Sequence, residues 1–149
     1  MLNKGLAFEN IRQYQKAIEC YEQLLAVNPQ HVAAMEHKGF NLYLLGEYNK
    51  ADVVYDQILK LQPNNADALY HKATVKYLLS SYAGSIKYYD RLLEVKPNCI
   101  TAWYNKGFAN NMMGNVDEAI ECYDQALSID PNNPSVLYNK RFALYRIGK

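Results

Sequence analysis

The sequence predicts an all-α fold, a solenoid assembled from pairs of helices, and two observations lead to this prediction. Proline residues recur at a fixed interval of 34 residues, and the apolar residues between them follow helical spacing. A fixed period of this length is typical of a solenoid made from one repeated supersecondary unit. No segment shows the alternation of apolar and polar residues that marks a β-strand, so the sequence predicts helices only.

Five sets of residues share the 34-residue spacing, and together they define the repeat. The sets are Pro29, Pro63, Pro97 and Pro131; Tyr21, Tyr55, Tyr89 and Tyr123; Ala17, Ala51, Ser85 and Ala119; Gly5, Gly39, Ala73 and Gly107; and Lys4, Lys38, Lys72, Lys106 and Lys140. Neither helix of a unit buries its apolar face alone, so stability comes from the stacking of neighbouring units.

The unit that begins at residue 32 shows the predicted helix pair clearly. Its first helix runs from Val32 to about Leu45, and its second helix runs from Tyr48 to Leu61. Gly46 stands where the first helix ends, because glycine tolerates the left-handed conformation often found there. Pro63 ends the second helix, since proline cannot continue the ladder of backbone hydrogen bonds.

The repeat spacing divides the chain into five units, which are 1–31, 32–65, 66–99, 100–133 and 134–149. Asn64–Asn65 and Asn132–Asn133 are good N-caps for the helices that follow them, and Pro134 suits the first turn of the last helix. The first unit lacks the start of its first helix, and the last unit is a single helix. We therefore expect either a piece of a longer array or a terminal helix that another molecule covers.

Small residues have a mechanical role in this arrangement. Gly39 and Ala51 are expected on facing stripes of the two helices of one unit, where small side chains let the backbones approach closely. Tyr55 and its equivalents then fill the space between one unit and the next.

Charge and composition exclude several classes of function. Lys and Arg total 16 and Asp and Glu total 15, so the net charge of +1 disfavours a main role in gripping nucleic acid or anionic lipid. The longest apolar run is four residues, whereas a membrane span needs roughly 18. Cys20, Cys99 and Cys122 form no metal-ligand or disulfide pattern, which favours free thiols in the cytoplasm, and no apolar signal core begins the chain.

The sequence resembles the tetratricopeptide repeat along its whole length. That family's pattern places Trp, Gly, Ala, an aromatic residue and Pro at fixed positions of a 34-residue unit. Trp103, Gly107, Ala119, Tyr123 and Pro131 follow this pattern. The resemblance implies a right-handed superhelical solenoid of antiparallel helix pairs, and a concave groove lined by the first helix of each unit.

Catalysis finds little support, and neither a cofactor nor a metal is expected. His37 and His71 occupy the same position in adjacent units, so stacked helices would hold them too far apart to share zinc, and both are predicted to be surface histidines. Glu22, Asp56, Asp90 and Asp124 recur at the repeat spacing and are interpreted as a solvated face. The five repeated lysines are interpreted as surface charges whose stems cover apolar neighbours.

Carrying the family's groove positions onto this sequence gives a candidate partner-binding groove. Its residues are Glu36, Phe40, Tyr43, Asp67, Tyr70, Thr74, Tyr77, Tyr104, Phe108, Asn111, Tyr138, Phe142 and Tyr145. Chaperone-binding members of the family hold a C-terminal carboxylate with a clamp of Lys and Asn side chains. At the corresponding groove positions this chain has Glu36 or Tyr70, and Phe40 or Thr74. The expected ligand is therefore an apolar peptide or helix of a partner protein, with a basic residue near Glu36 and Asp67.

Several functions remain open at this point. The leading hypothesis is a non-catalytic protein-interaction scaffold whose aromatic groove binds a partner. The second is a structural array that associates with itself through its terminal helices. The third is the interaction arm of a larger enzyme. RNA binding is a distant fourth, because the groove is aromatic and uncharged for most of its length.

Overall fold

The computed structural model describes residues 1–148, and this range contains nine α-helices and no β-strand. The helices are α1 (Leu2–Asn10), α2 (Tyr14–Val27), α3 (Val32–Leu44), α4 (Tyr48–Leu61), α5 (Ala66–Leu78), α6 (Tyr82–Val95), α7 (Ile100–Met113), α8 (Val116–Ile129) and α9 (Pro134–Arg146). No helix in the described range has the length and apolar content that crossing a bilayer requires. The predicted all-α fold is confirmed.

The helices form two compact units, one covering residues 1–75 and the other beginning at Lys76. In the first unit, α1 packs on α2, α2 on α3, and α3 on α4. In the second unit, α6 packs on α7, α7 on α8, and α8 on α9. Each unit therefore repeats the same packing of sequential antiparallel helices.

A residue with positive φ follows the first helix of each pair. Gly46 has a φ value of 76°, which confirms the left-handed conformation predicted for it, and Gly114 has a φ value of 84°. At the same repeat position, Arg12 and Ser80 have φ values of 59° and 58° although neither is glycine. Because side chains other than glycine's disfavour this region, these two turns carry local strain.

Asparagine side chains begin two of the first helices, as predicted. Asn65 Oδ1 accepts a hydrogen bond from the Ala68 backbone N–H at 2.8 Å, and Asn133 Oδ1 accepts one from the Val136 N–H at 3.3 Å. Pro134 occupies the first turn of α9. The helix bounds predicted for the unit at residue 32 agree with the structure to within one residue.

Buried tyrosines take the space beside the small residues of the first helices. A Cβ atom added to Gly39 would lie 2.9 Å from Cζ of Tyr55, and one added to Gly107 would lie 2.7 Å from Cε1 of Tyr123. For Gly107 the backbone carbonyl oxygen of Ala119 also lies 3.1 Å from that position. The three atoms nearest to a Cβ added at Gly39 all belong to Tyr55, so this glycine leaves room for the Tyr55 ring as well.

Four of the repeated lysines form ion pairs with the repeated acids, which corrects the interpretation of both sets as separate solvated charges. Each pair joins a first helix to the preceding second helix, over a separation of 16 residues. The pairs are Lys38–Glu22 at 2.9 Å, Lys72–Asp56 at 2.8 Å, Lys106–Asp90 at 2.6 Å and Lys140–Asp124 at 2.5 Å. Only 1% of the Lys72 side chain is exposed, and its Nζ also contacts Asp52 Oδ1 at 2.8 Å. Burial of a lysine requires such compensation, because an unpaired charge would lose its hydration.

Candidate functional site

The predicted groove residues all lie on the first helices of the pairs, and we call this set the first-helix face. The first unit contributes Glu36, Phe40 and Tyr43 from α3 and Asp67, Tyr70 and Thr74 from α5. The second unit contributes Tyr77 from the end of α5, Tyr104, Phe108 and Asn111 from α7, and Tyr138, Phe142 and Tyr145 from α9. We describe the two sets separately.

The first unit contains a cleft of about 310 Å³ that combines carboxylates with aromatic rings, and we call it the acidic cleft. It brings together three predicted residues, Glu36, Phe40 and Asp67. The other lining residues are Glu9, His37, Tyr55, Ala68 and His71. No lysine or arginine is among the lining residues, so the cleft carries a negative potential.

Three donors fix the Glu9 carboxylate at the edge of this cleft. Its Oε2 accepts hydrogen bonds from Tyr21 Oη at 3.0 Å and from Asn41 Nδ2 at 2.7 Å. His37 Nδ1 lies 3.2 Å from the same oxygen, and since a carboxylate can only accept, His37 donates there. These bonds end on Oε2, so Oε1 takes no part in them.

The Glu36 carboxylate is held by the N-cap of the next first helix. Asn65 Nδ2 donates to Glu36 Oε1 at 2.9 Å, while Asn65 Oδ1 caps α5. The amide of Asn65 is therefore committed at both ends, and it fixes where the Glu36 side chain lies. The acid and the start of α5 are positioned together.

His71 is the centre of the aromatic wall of the first unit. Its ring stacks on Tyr55 with centroids 5.6 Å apart, and it contacts the rings of Phe40 at 5.6 Å, Tyr70 at 5.4 Å and Tyr43 at 6.4 Å. Burial lowers the pKa of His71, and the charges of nearby acids only partly oppose this shift. The imidazole therefore stays neutral near pH 7 and adds no positive charge.

The prediction that His37 and His71 are surface histidines is wrong. Both are half-buried, and each stacks on the buried tyrosine of the preceding unit, His37 on Tyr21 at 5.5 Å and His71 on Tyr55 at 5.6 Å. The sequence showed that the histidines share a repeat position with each other. It did not show that this position faces a tyrosine ring.

Tyr55 carries a buried hydroxyl without a hydrogen-bond partner. The residue is 1% exposed and lines the acidic cleft, and its Oη makes no hydrogen bond within the described chain. Burial raises the pKa of Tyr55, and the charge of Glu36 raises it further, so the phenol stays neutral. The equivalent hydroxyl of Tyr21 has a partner because Glu9 lies beside it.

The remaining groove residues of the first unit lie around the aromatic wall. Tyr43 stacks on Phe40 with centroids 6.2 Å apart and also contacts Tyr48 at 6.1 Å. Thr74 donates its hydroxyl to the Tyr70 carbonyl oxygen at 3.0 Å, one turn back on its own helix. Tyr43 and Tyr70 thus pack against the rings that line the cleft. The Thr74 hydroxyl is engaged by a backbone carbonyl oxygen.

The second unit forms an aromatic cluster in the corresponding place. Tyr77 contacts the ring of Phe108 at 5.7 Å and that of Tyr82 at 5.2 Å. Tyr104 stacks on Phe108 at 6.4 Å and tilts against Tyr123 at 6.2 Å. Burial raises the pKa of Tyr77, which keeps its hydroxyl neutral.

The α9 helix presents the most exposed rings of the face. Tyr138 is 71% exposed and Tyr145 is 80% exposed, with Phe142 between them also exposed. Asn111 of α7 is not free for a ligand, because its Oδ1 accepts a hydrogen bond from Arg146 Nη1 at 2.7 Å. The structure therefore places Asn111 in an α7–α9 contact.

No group of three or more His, Cys, Asp or Glu side chains within residues 1–148 could hold a metal ion. Cys20, Cys99 and Cys122 are free thiols, and burial raises the pKa of Cys122 to about 11. A thiol with this pKa is almost fully protonated at neutral pH and is a poor nucleophile.

Five residues of the acidic cleft were absent from the predicted groove, namely Glu9, His37, Tyr55, Ala68 and His71. Glu9 lies 34 residues before Tyr43, so the repeat spacing that located Tyr43 could have located it as well. Tyr55 belongs to a repeated set that was interpreted as filling space between units. Its ring does pack in that way, against His71, and the residue also lines the cleft.

Comparisons with known proteins agree with this architecture. One tetratricopeptide repeat model matches residues 1–31 and 100–133, and a second matches residues 41–98. No curated protein sequence gives a significant match.

Solved structures share the fold at low sequence identity. MamA has a TM-score of 0.94 and 22% identity, over 97% of this chain and 84% of that protein. YrrB, described as a TPR protein with an unusual peptide-binding site, has a TM-score of 0.85 and 20% identity over 98% and 75% of the two chains. The first TPR of Spaghetti (RPAP3), bound to the HSP90 peptide SRMEEVD, has a TM-score of 0.76 and 19% identity over 80% and 95%. The helix-pair architecture and the family-model matches together show that this chain belongs to the tetratricopeptide repeat family.

Proposed function

We propose that the protein is a non-catalytic interaction scaffold that binds a peptide or helix of a partner protein on the first-helix face. One observation carries this proposal: both units carry clusters of half-buried aromatic rings on the first helices. Phe40 and His71 lie at the centre of the cluster in the first unit, and Tyr104 and Phe108 lie at the centre of that in the second. Rings held in clusters are the usual anchors of protein interfaces, because they bury a large area at a low cost in conformational entropy.

The charges on this face favour one kind of partner. The Spaghetti (RPAP3) repeat is bound to the HSP90 peptide SRMEEVD, which is acidic at its C-terminal end. In this chain Glu36 and Asp67 line the acidic cleft, so a ligand of that kind would meet like charge. The proposed partner segment is therefore apolar with a basic residue.

The three free cysteines suit a reducing compartment, and we propose the cytoplasm as the place of the interaction.

Peptide selection tests this proposal, whichever partner the chain binds in the cell. A random 12-residue peptide library is selected on the whole chain, and the affinities of the best binders are measured by calorimetry. We expect the double variant Phe40→Ala/Phe108→Ala to lose about tenfold or more in affinity, since each ring contributes about 1 kcal/mol or more at an interface anchor.

The control is a double variant that removes exposed apolar groups elsewhere. Val27 and Val53 are exposed residues of α2 and α4, outside the first-helix face, and Val27→Ala/Val53→Ala is expected to leave affinity unchanged. Equal affinities for the wild-type chain and the double-phenylalanine variant would contradict the proposal.

Self-association is the second candidate, and the exposed rings of α9 favour it. Tyr138, Phe142 and Tyr145 form an apolar face on a single helix, and large exposed apolar patches mark interaction sites. Sedimentation velocity over a concentration series tests this candidate. A chain that remains monomeric at the highest concentration excludes it, whereas dimerisation that Tyr145→Ala weakens supports it.

A further inference from the structure

We propose that the acidic cleft binds the guanidinium group of an arginine side chain in the partner segment. This inference rests on the proposed function and assigns one specificity pocket within it. The occupant follows from three features of the cleft: fixed carboxylates, an unpartnered buried hydroxyl and a wall of aromatic rings.

The carboxylates are held in place before any ligand arrives. Glu9 is fixed by its three donors and Glu36 by Asn65, so neither side chain needs to be ordered on binding. Asp67 lines the cleft from the first turn of α5. Side chains ordered in advance lower the entropic cost of binding, so an incoming cation meets a preorganised set of acceptors.

The Tyr55 hydroxyl belongs to a residue that lines the cleft beside the carboxylates, and it could accept a hydrogen bond from a ligand. A buried hydroxyl without a partner costs free energy, and proteins rarely leave one unsatisfied. Tyr55 is 1% exposed, and its Oη has no hydrogen bond within the described chain. An N–H group of a ligand in the cleft would give this oxygen the donor that the protein does not supply.

The aromatic wall selects arginine over lysine. The rings of Phe40 and His71 lie 5.6 Å apart and both line the cleft. A planar guanidinium stacks on such rings and presents five N–H donors, whereas an ammonium group is compact, strongly hydrated and has three. His71, whose pKa is lowered by burial, adds no positive charge that would oppose the cation.

The size of the cleft suits a single side chain. Its volume of about 310 Å³ lies at the lower end of the range of roughly 300–1,000 Å³ found for small-molecule sites. A long unbranched side chain that enters from a peptide fits this space better than a compact fold or a helix would. The cleft therefore accommodates one residue of the partner segment.

The test uses peptides selected on the whole chain. We expect arginine to be enriched over lysine at one position of the selected set. Replacement of that arginine by citrulline, its neutral isostere, is expected to lower affinity for the wild-type chain by about tenfold, because charge-assisted hydrogen bonds are lost. The same replacement is expected to have a much smaller effect on the variant Glu36→Gln, in which the cleft has already lost one charge.

The control variant is Glu19→Gln, which removes an equal charge from an exposed position on α2 outside the cleft. It is expected to retain the full citrulline effect, and thermal melting verifies that both variants are folded. An equal citrulline effect in the wild type and in Glu36→Gln would overturn the inference, and so would equal enrichment of lysine. If those peptides still lose affinity with Phe40→Ala/Phe108→Ala, the proposed function stands and only the arginine assignment fails.

Discussion

The two units place different chemistry on the same helical framework. In the first unit, Glu36 and Asp67 line a cleft beside Phe40. At the equivalent positions of the second unit stand Tyr104 and Thr101, and the site there is a cluster of neutral rings. The repeat thus keeps the way in which helices pack, while the chemistry of the first-helix positions differs between the units.

The buried tyrosines show which features of the cleft are specific. Tyr55 and Tyr123 both carry a hydroxyl without a hydrogen-bond partner in the described chain. Tyr55 lines a cleft with three carboxylates, whereas Tyr123 packs against the ring of Tyr104. An unpartnered hydroxyl is therefore common to both units, and the carboxylates that line the cleft distinguish the first unit.

The largest expected difference between the units concerns their lysines. Lys72 is 1% exposed and pairs with Asp52 and Asp56, whereas Lys106 is 21% exposed and pairs with Asp90. We expect Lys72→Ala to lower the free energy of unfolding by about 3 kcal/mol, because it leaves acids without their buried partner. Lys106→Ala is expected to cost about 1 kcal/mol or less. Urea denaturation measures both, and equal losses would contradict the distinction.

The glycines beside the buried tyrosines test whether the two units pack alike. We expect Gly39→Ala and Gly107→Ala each to destabilise the protein by about 1–3 kcal/mol, because the added methyl overpacks the site. The loss is expected to be larger for Gly107, where the Ala119 carbonyl oxygen cannot move aside as a side chain can. Thermal denaturation ranks the variants, with Gly84→Ala as the control. There the nearest atom is a flexible serine hydroxyl, and a loss as large as that of Gly107→Ala would refute the packing account.

The two strained turns, one in each unit, are expected to give smaller changes in stability. Here the substitutions should stabilise the protein instead of destabilising it. Arg12 and Ser80 adopt positive φ where two equivalent turns have glycine. We expect Arg12→Gly and Ser80→Gly each to stabilise the protein by about 0.5–1 kcal/mol, since glycine adopts this conformation without strain. Chemical denaturation checks this, and Ser128→Gly inside α8 is the control, which should destabilise. Destabilisation by Ser80→Gly would show that the turn is unstrained.

The smallest expected effect is a pH dependence confined to the first unit. The folded state lowers the pKa of His71, so the unfolded chain binds its proton more readily. The contribution of His71 is fully present above the ordinary pKa of 6.5 and is lost as the pH falls through the lower folded value. His71→Asn introduces the residue found at the equivalent positions 105 and 139. Urea denaturation at pH 7.5 and at pH 5 gives the free energy of unfolding that is lost as the pH falls. We expect this loss to be smaller for His71→Asn than for the wild type, and equal losses would contradict the assignment.

The sequence predicted those features that depend on local rules. Gly46 and Gly114 end first helices, and Asn65 and Asn133 cap the following ones, because turn and cap preferences act within a few residues. The repeat spacing then located the exposed positions of the first helices. That spacing alone assigns Phe40 and Phe108 to the same repeat position, which lies on α3 in the first unit and on α7 in the second.

The features that the sequence did not predict depend on packing between helices. The pairing of Lys72 with Asp56 needs the distance between a first helix and the preceding second helix, which the repeat spacing does not contain. Glu9 was missed for another reason, since it differs in chemistry from Tyr43 at the same repeat position. Its role appears only when Tyr21, His37 and Asn41 converge on its carboxylate.

The most direct test of the central claim is an NMR titration of the histidine ring protons with a selected peptide. The chain has three histidines, and they report on different places. His37 and His71 line the acidic cleft, whereas His31 caps α3 by accepting a hydrogen bond from the Ala34 N–H. Binding on the first-helix face should shift the His71 and His37 signals and leave that of His31 in place. A peptide that binds without moving the His71 signal would contradict the proposed site.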